Sequence, residues 1–229
     1  MALTNADMRA GVHVCFLCGR EGADTVEHVV PRSLYPGPLG DDAITAPAHE
    51  ACNQTTARAE ETFRNHVGLG ATERENPVFE AALRSLGRGR AAGLRAEFVR
   101  HMQPAERGGG FIGMNADRVL WVLAKIMKGL VYEATGEILK PRDIRWAFAH
   151  IGIATLRRMA PPPEPPFARD VPRVLQAFWY SEPETPVLAL VRMYGNDEAI
   201  YSVTAFPTKR RATWWAAGAR ALVWPTDNV

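Results

Sequence analysis

The stretches "CFLC" (residues 15–18) and "HEAC" (residues 49–52) decide the fold of the first quarter of the chain. Each places two potential metal ligands two residues apart, so that one tight turn can direct both at a single point. Two such pairs supply the four ligands of a tetrahedral zinc ion. All three cysteines of the chain belong to these pairs, which does not fit a disulfide framework. The sequence therefore predicts a structural zinc site with the ligands Cys15, Cys18, His49 and Cys52.

The segment between the two pairs contains a second group of polar residues. It is longer than the roughly 15–20 residues that separate the pairs of a compact zinc ribbon. Within it, "TVEHVVPRSL" (residues 25–34) predicts a short strand that carries Glu27 and His28. A carboxylate and an imidazole are costly to bury without partners. Taken alone, His28 has a second interpretation as a structural histidine at a strand end. The cysteines can likewise be interpreted as buried thiols, and His49 as a surface histidine.

Taken together and in order, "CFLC", "EHVVPRSL" and "HEACN" resemble the zinc-stabilised ββα-metal motif of HNH-family endonucleases. The resemblance covers residues 13 to about 66, which is under a third of the chain. It implies that His28 activates the water that attacks a phosphodiester. It also implies that Glu27 and Asn53 bind a catalytic Mg²⁺ or Mn²⁺. Because adjacent strand residues point to opposite faces, Glu27 and His28 can share one site only if the strand bends or bulges.

Three positions depart from the family pattern. Glu27 replaces the commoner Asp, and Ile44 stands where a middle Asn usually orients the histidine. A third motif residue is missing, since Ala57, one turn beyond Asn53, cannot bind a metal ion. Glu60 and Glu61 lie two turns beyond Asn53. We expect Glu61 to be closer to the Asn53 face and both to lie on a solvated face. Asn53 has a second interpretation as a helix N-cap, a role that Thr55 can also fill.

The remaining sequence predicts an α+β protein. One or two helices over 77–102 are interrupted by "GRGRAAG", and "NADRVLWVLAKIMKGLVYEATG" (115–136) has an Asn115 cap, a Gly136 stop and apolar residues at helical spacing. A further helix is predicted over 143–159. The proline-rich "APPPEPPF" (160–167) predicts a linker, followed by strand-like runs. The predicted domains are a zinc-stabilised HNH motif (1–70), a helical region (71–160) and a small antiparallel β region (161–229).

Composition permits a nucleic-acid partner without requiring one. The formal net charge is +2, the chain has no apolar run of membrane-spanning length, and its first residues lack a signal-peptide pattern. We therefore expect a cytoplasmic protein. Lys125 and Lys128 interrupt an apolar helix, where they either face a groove or snorkel to solvent. The cationic residues available for phosphate contacts are Arg32, Arg58, Arg64, Arg84, Arg88, Arg90, Arg95 and those of "TKRRATWW" (208–215).

Two functions follow from these features. The first is a metal-dependent HNH endonuclease that hydrolyses phosphodiester bonds in DNA, with structural Zn²⁺, catalytic Mg²⁺ or Mn²⁺, and His28 as the general base. The second is a zinc-stabilised nucleic-acid-binding module with a degenerate, inactive site, as Ile44 and the missing third motif residue suggest. The presence of Glu27, His28 and Asn53 together favours the enzyme, because a binding module needs none of the three.

Overall fold

The computed structural model describes a mixed α+β protein in which an antiparallel hairpin precedes a set of helices. The described residues are 8, 11–35, 37–40, 43–69, 77–89, 92–104, 110–112, 116–139, 144–150, 167–171, 174–180, 187–193 and 200–207. The predicted linker (160–167), apart from Phe167, and the "TKRRATWW" segment lie outside them. No helix among the described residues has the length and hydropathy that a membrane span requires.

The N-terminal hairpin consists of β1 (Thr25–His28) and β2 (Thr45–Ala48). The strands are antiparallel, with Thr25 opposite Ala48 and His28 opposite Thr45. The ladder continues past the strand ends, where the Val29 N–H donates to the Ile44 carbonyl at 2.9 Å. A short 3-10 helix, Arg32–Leu34, follows β1. The strand predicted around Glu27 and His28 is therefore confirmed.

Helix α1 (Glu50–Leu69) starts almost immediately after β2, which completes a ββα-like arrangement. Its first turn is capped from a distant position, because the Glu50 N–H donates to Asp24 Oδ1 at 2.7 Å. The Asn53 N–H already donates to the His49 carbonyl at 3.0 Å, so Asn53 lies inside the helix. The prediction that Asn53 or Thr55 caps this helix is wrong, because the Asp24 carboxylate fills that role.

The region after α1 contains two separate helices, α2 (Pro77–Gly87) and α3 (Ala92–His101). The break that the glycines of this region predict therefore separates two helices. The first of them, α2, packs against α1. Arg95 closes the break, since its guanidinium donates to the carbonyls of Leu86 at 2.7 Å and Arg88 at 2.8 Å. A cation at the carbonyl end of α2 also complements the helix dipole.

Helix α4 (Ala116–Thr135) is the central element of the described core and packs against α1, β2 and the later strands Ile144–His150 and Ile200–Pro207. It ends where the sequence predicts: Gly136 has a φ of 72°, and its N–H donates to the Tyr132 carbonyl at 2.8 Å. A left-handed glycine at this position is a common helix terminator. The predicted cap Asn115 lies outside the described residues.

The apolar positions predicted for α4 are all buried, and so are the residues between them except the partly buried Trp121. A helix that is buried on every side belongs to the middle of a core. Lys125 and Lys128 are buried as well, with 0% and 1% of their surfaces exposed. Neither side chain faces an open groove or reaches solvent, so both expectations for these lysines are wrong. Each ammonium group instead finds polar partners inside the protein.

The other strands form a small hairpin and a larger sheet. The hairpin pairs β3 (Met102–Pro104) with β4 (Gly110–Ile112). The antiparallel sheet has the order β5-β9-β8-β7-β6, built from Ile144–His150, Phe167–Val171, Leu175–Tyr180, Val187–Met193 and Ile200–Pro207 in chain order. The prediction of a helix over 143–159 is wrong for Ile144–His150, which pairs along its whole length with β9, and residues 143 and 151–159 lie outside the described part of the chain. The predicted domain boundaries remain predictions.

Candidate metal centre and adjoining histidine

The first pair of potential metal ligands lies on a tight turn before β1. The Cys15 N–H donates to the Arg20 carbonyl, and the Gly19 N–H donates to the Cys15 carbonyl, both at 2.8 Å. Gly19 adopts a φ of 74°, which an L side chain rarely does. This left-handed residue reverses the chain directly after Cys18. The reversal brings the side chains of Cys15 and Cys18 to the same side of the turn, as the sequence predicts.

The second pair lies where β2 passes into α1, and it faces the first. The ligand atoms of Cys15, Cys18, His49 and Cys52 all lie within 4.8 Å of one another. His49 Nδ1 lies 3.4 Å from Cys18 Sγ and 3.7 Å from Cys52 Sγ. Typical zinc bond lengths and a tetrahedral angle give about 3.6 Å for such a pair. The four residues therefore form a Cys3His cluster that can hold a metal ion such as zinc.

A hydrogen bond at the outer nitrogen of His49 determines which tautomer of the imidazole is present. His49 Nε2 lies 3.0 Å from the Glu21 carbonyl, which can only accept a hydrogen bond. The proton therefore resides on Nε2, and the lone pair of Nδ1 points toward the three sulfurs. Metal-bound histidines commonly donate their other N–H to a carbonyl in this way.

The three thiols shift one another's pKa values because they lie so close together. Hydrogen bonds with Cys15 and Cys52 lower the pKa of the Cys18 thiol. Hydrogen bonds with Cys15 and Cys18 raise the pKa of the Cys52 thiol, and the hydrogen bond with Cys18 raises that of Cys15. Without a cation, three adjacent thiolates repel one another. A bound divalent ion would remove this repulsion and favour deprotonation of all three.

The cluster is fastened to the rest of the protein by contacts that the motif does not predict. The buried Lys128 of α4 donates a hydrogen bond to the Leu17 carbonyl, between the two cysteines of the first turn. The Phe16 N–H donates to the Pro47 carbonyl of β2 at 2.9 Å. Three thiolates around a divalent ion carry one net negative charge, so a buried ammonium nearby is electrostatically favourable. A lysine in an otherwise apolar helix is the one sequence signal for this contact.

Glu27 lies beyond the cluster, on β1, and its carboxylate is buried. Glu27 Oε1 accepts a hydrogen bond from the ammonium group of Lys125 in α4. Burial raises the pKa of the Glu27 carboxyl above its ordinary value, while the Lys125 charge opposes that change. This residue was predicted as a ligand of a catalytic divalent ion. In the structure its carboxylate binds a cation, the ammonium of Lys125, and sequence reasoning did not identify that partner.

Of the adjacent residues Glu60 and Glu61 on α1, Glu60 faces Lys125 and Glu27. Lys125 Nζ lies 2.5 Å from Glu60 Oε1, and the Thr56 hydroxyl donates to the same oxygen at 2.7 Å. Glu61 is exposed and accepts a hydrogen bond from Ser85 of α2 at 3.0 Å. The expectation that Glu61 lies closer to the Asn53 face is wrong. Positions 53, 56 and 60 lie at helical spacing on one side of α1, and position 61 is turned away from it.

His28 is half-buried beside the same charged groups. Its Nδ1 atom is buried and has no hydrogen-bond partner among the described residues. Burial lowers the pKa of His28 below its ordinary value of 6.5, and the positive charges of Arg32 and Lys125 lower it further, while Glu60 raises it. The imidazole is therefore neutral near pH 7 and able to accept a proton. Glu27 and His28 therefore share the charged neighbours Lys125 and Glu60. Asn53 lies half-buried on the Glu60 side of α1.

Ile44, at the position of the usual middle Asn, is 4% exposed and belongs to the core. Its carbonyl accepts the Val29 N–H, so its backbone ties the end of β1 to the start of β2. The loop after His28 is thus held without the amide side chain that the family pattern supplies.

The cationic residues predicted to contact phosphates differ in exposure and in the partners that they already have. Arg32, on the short 3-10 helix near His28, and Arg58, on α1, are both exposed. Arg84 is exposed but pairs with Glu80 at 3.1 Å. Arg95 is committed to helix carbonyls, as described above. Arg90 and the 208–215 segment lie outside the described residues.

No protein-family model, curated protein or solved structure matches this chain. The resemblance to HNH nucleases therefore rests on the motif residues, the Cys3His cluster and the ββα-like arrangement that carries them.

Proposed function

We propose that this protein is a metal-dependent endonuclease of the HNH type that hydrolyses phosphodiester bonds in DNA. The observation that carries the proposal is the position of His28. This histidine ends the first strand of a ββα-like unit that also carries a Cys3His cluster, and its pKa is lowered by burial. A half-buried imidazole that is neutral near pH 7 is suited to act as a general base.

In this proposal the Cys3His cluster holds a structural zinc ion. Four protein ligands leave no open position for water or substrate, which is typical of a structural rather than a catalytic site. The zinc ion would fix the turn before β1 against the start of α1. This connection would hold His28 and Asn53, which lie on different elements, in a constant relative position.

The chemical step would depend on His28 and on the groups around it. His28 accepts a proton from the attacking water, and burial together with the positive charges of Arg32 and Lys125 lowers its pKa and keeps the imidazole unprotonated beforehand. The exposed guanidinium group of Arg32, whose charge acts on His28, is available for contacts with a phosphate beside the cleaved bond. These contacts are independent of base identity, so they position a backbone without selecting a sequence.

The residues present also fit a catalytic divalent ion. The carboxylates of Glu27 and Glu60 converge on one cationic group, the Lys125 ammonium, so a cation-binding arrangement already exists. Glu27 and Asn53 are the residues that would hold the ion, since carboxylate and amide oxygens suit Mg²⁺ and Mn²⁺. When bound, such an ion supplies positive charge that stabilises the phosphate and the leaving oxygen during hydrolysis.

A cleavage assay on supercoiled plasmid tests the proposal. Zinc-loaded protein should nick or linearise the plasmid when Mg²⁺ or Mn²⁺ is added, and it should leave the plasmid intact when both are omitted. RNA of matched length, assayed in parallel, reports whether DNA is the preferred substrate. Absence of cleavage with every divalent ion would contradict the proposal.

The second candidate function is a zinc-stabilised module that binds nucleic acid without cutting it. Two features favour this function. Ile44 replaces the amide that usually orients the histidine, and the hydrogen bond from Lys125 occupies the carboxylate of Glu27. A gel-shift measurement separates the two functions: retained DNA binding without cleavage would identify the module.

A further inference from the structure

Lys125 occupies a position that the proposed nuclease would need for its ion. Its side chain is 0% exposed, and its ammonium donates hydrogen bonds to carboxylates from two other elements. Glu27 belongs to β1 and Glu60 to α1, 98 and 65 residues away in sequence. Two carboxylates from separate elements that converge on one buried cation define a cation site within the fold.

The charges in this site are not balanced by Lys125 alone. Two carboxylates face one ammonium group, and the neutral His28 beside them adds no charge. The site therefore has one net negative charge before the exposed Arg32 is counted. Carboxylate oxygens are the ligands that Mg²⁺ and Mn²⁺ prefer, so the groups that hold the ammonium also suit a divalent ion.

Burial indicates that Lys125 does not contact a substrate phosphate. The ammonium has no exposed surface, whereas the side chains of Glu27 and Glu60 remain 10% and 15% exposed. A phosphate group could reach Lys125 only after the carboxylates had moved away. A small ion has easier access, because both glutamate side chains retain some exposed surface.

We propose that the Lys125 ammonium is an internal competitor of the divalent ion, held between Glu27 and Glu60 and displaced when the ion binds there. The inference rests on the proposed function, because the ion concerned is the one that the nuclease would use. It adds Glu60 to the ligands of that ion. Two cations held by the same oxygens repel each other strongly in a buried site, so simultaneous binding is unfavourable.

Mn²⁺ binding measured by electron paramagnetic resonance or calorimetry on zinc-loaded protein tests this proposal. Lys125→Met removes the ammonium but keeps a chain of similar length. We expect its Mn²⁺ dissociation constant to fall by about tenfold or more relative to wild type, because one repulsive charge is gone. Lys128→Met is the matched control, since it removes the other buried ammonium of the same helix. Its Mn²⁺ affinity should stay within about twofold of wild type.

The proposal would be overturned if folded Lys125→Met bound Mn²⁺ no more tightly than wild type, or if Lys128→Met gained as much. Loss of Lys125 leaves the carboxylates of Glu27 and Glu60 without their cation, which destabilises the variant and can unfold it in the absence of an ion. In that case Mn²⁺ should restore its cooperative thermal transition, because a ligand that binds only the folded state stabilises it. Failure of Mn²⁺ to restore the transition would equally overturn the proposal.

A double variant and a cleavage assay complete the test. Adding Glu60→Gln to Lys125→Met should remove most of the gain in Mn²⁺ affinity, and an undiminished gain would exclude Glu60 as a ligand. Tighter Mn²⁺ binding in a protein that never cleaves DNA would support the competitor and contradict the nuclease. Cleavage by wild type together with unchanged Mn²⁺ affinity in Lys125→Met would support the nuclease and contradict the competitor.

Discussion

Gly129 of α4 lies directly against Val29, the residue that follows His28. A Cβ atom at position 129 would lie 2.8 Å from Val29 Cβ and closer still to both methyl groups. Val29 is fully buried, so its side chain is enclosed by the core and does not reach solvent. The missing side chain allows α4 to approach the end of β1. Lys125 lies one turn earlier on the same helix, and this close approach brings its ammonium group to Glu27.

Gly129→Ala should therefore destabilise the protein. Forcing one methyl group into a packed core typically costs about 1–3 kcal/mol, and chemical denaturation of the zinc-loaded protein measures that loss. Gly93→Ala is the control: a Cβ at this exposed position of α3 meets no atom within 4 Å. It should be neutral or stabilising by about 0.5–1 kcal/mol, because alanine favours the helix.

Shortening the side chain of Val29 tests the cause of the stability loss expected for Gly129→Ala. Val29→Ala removes the two methyl groups that the new Cβ would strike, so the double variant should lose less stability than the sum of the single changes. Additive losses would place the strain elsewhere.

Removal of one cluster ligand should remove the zinc. Cys18→Ser should be purified without the ion and should lose cooperative structure in the N-terminal region, because zinc binding and folding are coupled in such sites. Elemental analysis of the purified protein measures the zinc content. His28→Ala, which changes a nearby residue outside the cluster, should retain one zinc ion per chain. Wild-type protein purified without zinc would contradict the assignment.

Loss of the general base should separate activity from folding. His28→Ala should keep its zinc and thermal stability, while single-turnover cleavage of DNA falls by roughly 10²–10⁴-fold. His66→Ala, on the last turn of α1, is the matched control and should cleave at close to the wild-type rate. Equal rates for His28→Ala and wild type would exclude His28 from the chemical step.

The pH dependence of cleavage should reflect the lowered pKa of His28. Its ordinary value is 6.5, and burial and the charges of Arg32 and Lys125 lower it. The base form therefore persists below pH 6.5, and the acidic limb of the kcat/KM profile should have its midpoint below that value. The stability that neutral His28 contributes should be complete above pH 6.5 and should decrease as pH falls through the folded-state pKa.

A change at Arg32 isolates one cause of this shift. Arg32→Gln removes a positive charge near the imidazole, so the pKa of His28, followed by proton NMR, should move upward toward 6.5. An NMR titration records this directly, without the effect that Arg32 has on DNA binding. A midpoint at or above 6.5 in the wild type would contradict the assigned environment.

Substitutions at Glu27 should alter the response to divalent ions and leave the zinc in place. Glu27→Gln loses the charged oxygen, so it should need much more Mg²⁺ to reach a given cleavage rate. Mn²⁺ accepts neutral oxygen and nitrogen ligands more readily, and should rescue this variant better than Mg²⁺ does. Glu27→Asp should retain activity. Metal titrations that overlay for wild type and Glu27→Gln would remove Glu27 from the ion site.

The sequence by itself determined the features whose causes are local. Two ligands two residues apart, together with a glycine after Cys18, specify a metal-binding turn. A helical apolar repeat that stops at Gly136 specifies α4 and the end of that helix. Strand β1 was likewise visible from a short run of strand-forming residues around Glu27. In each case the residues that decide the structure are neighbours in the chain, so spacing alone reveals the structure.

Only the tertiary structure decided the partners of the buried charges. The contact between Lys125 and Glu27 spans 98 residues, and the cap that Asp24 provides for α1 spans 26. A lysine in an apolar helix has the same local pattern whether it snorkels or is buried with carboxylates. Likewise, Ile144–His150 became a strand because β9 supplied a full set of backbone partners, against a local preference for helix. Such outcomes depend on which elements pack together, and helical or strand periodicity carries no information about that.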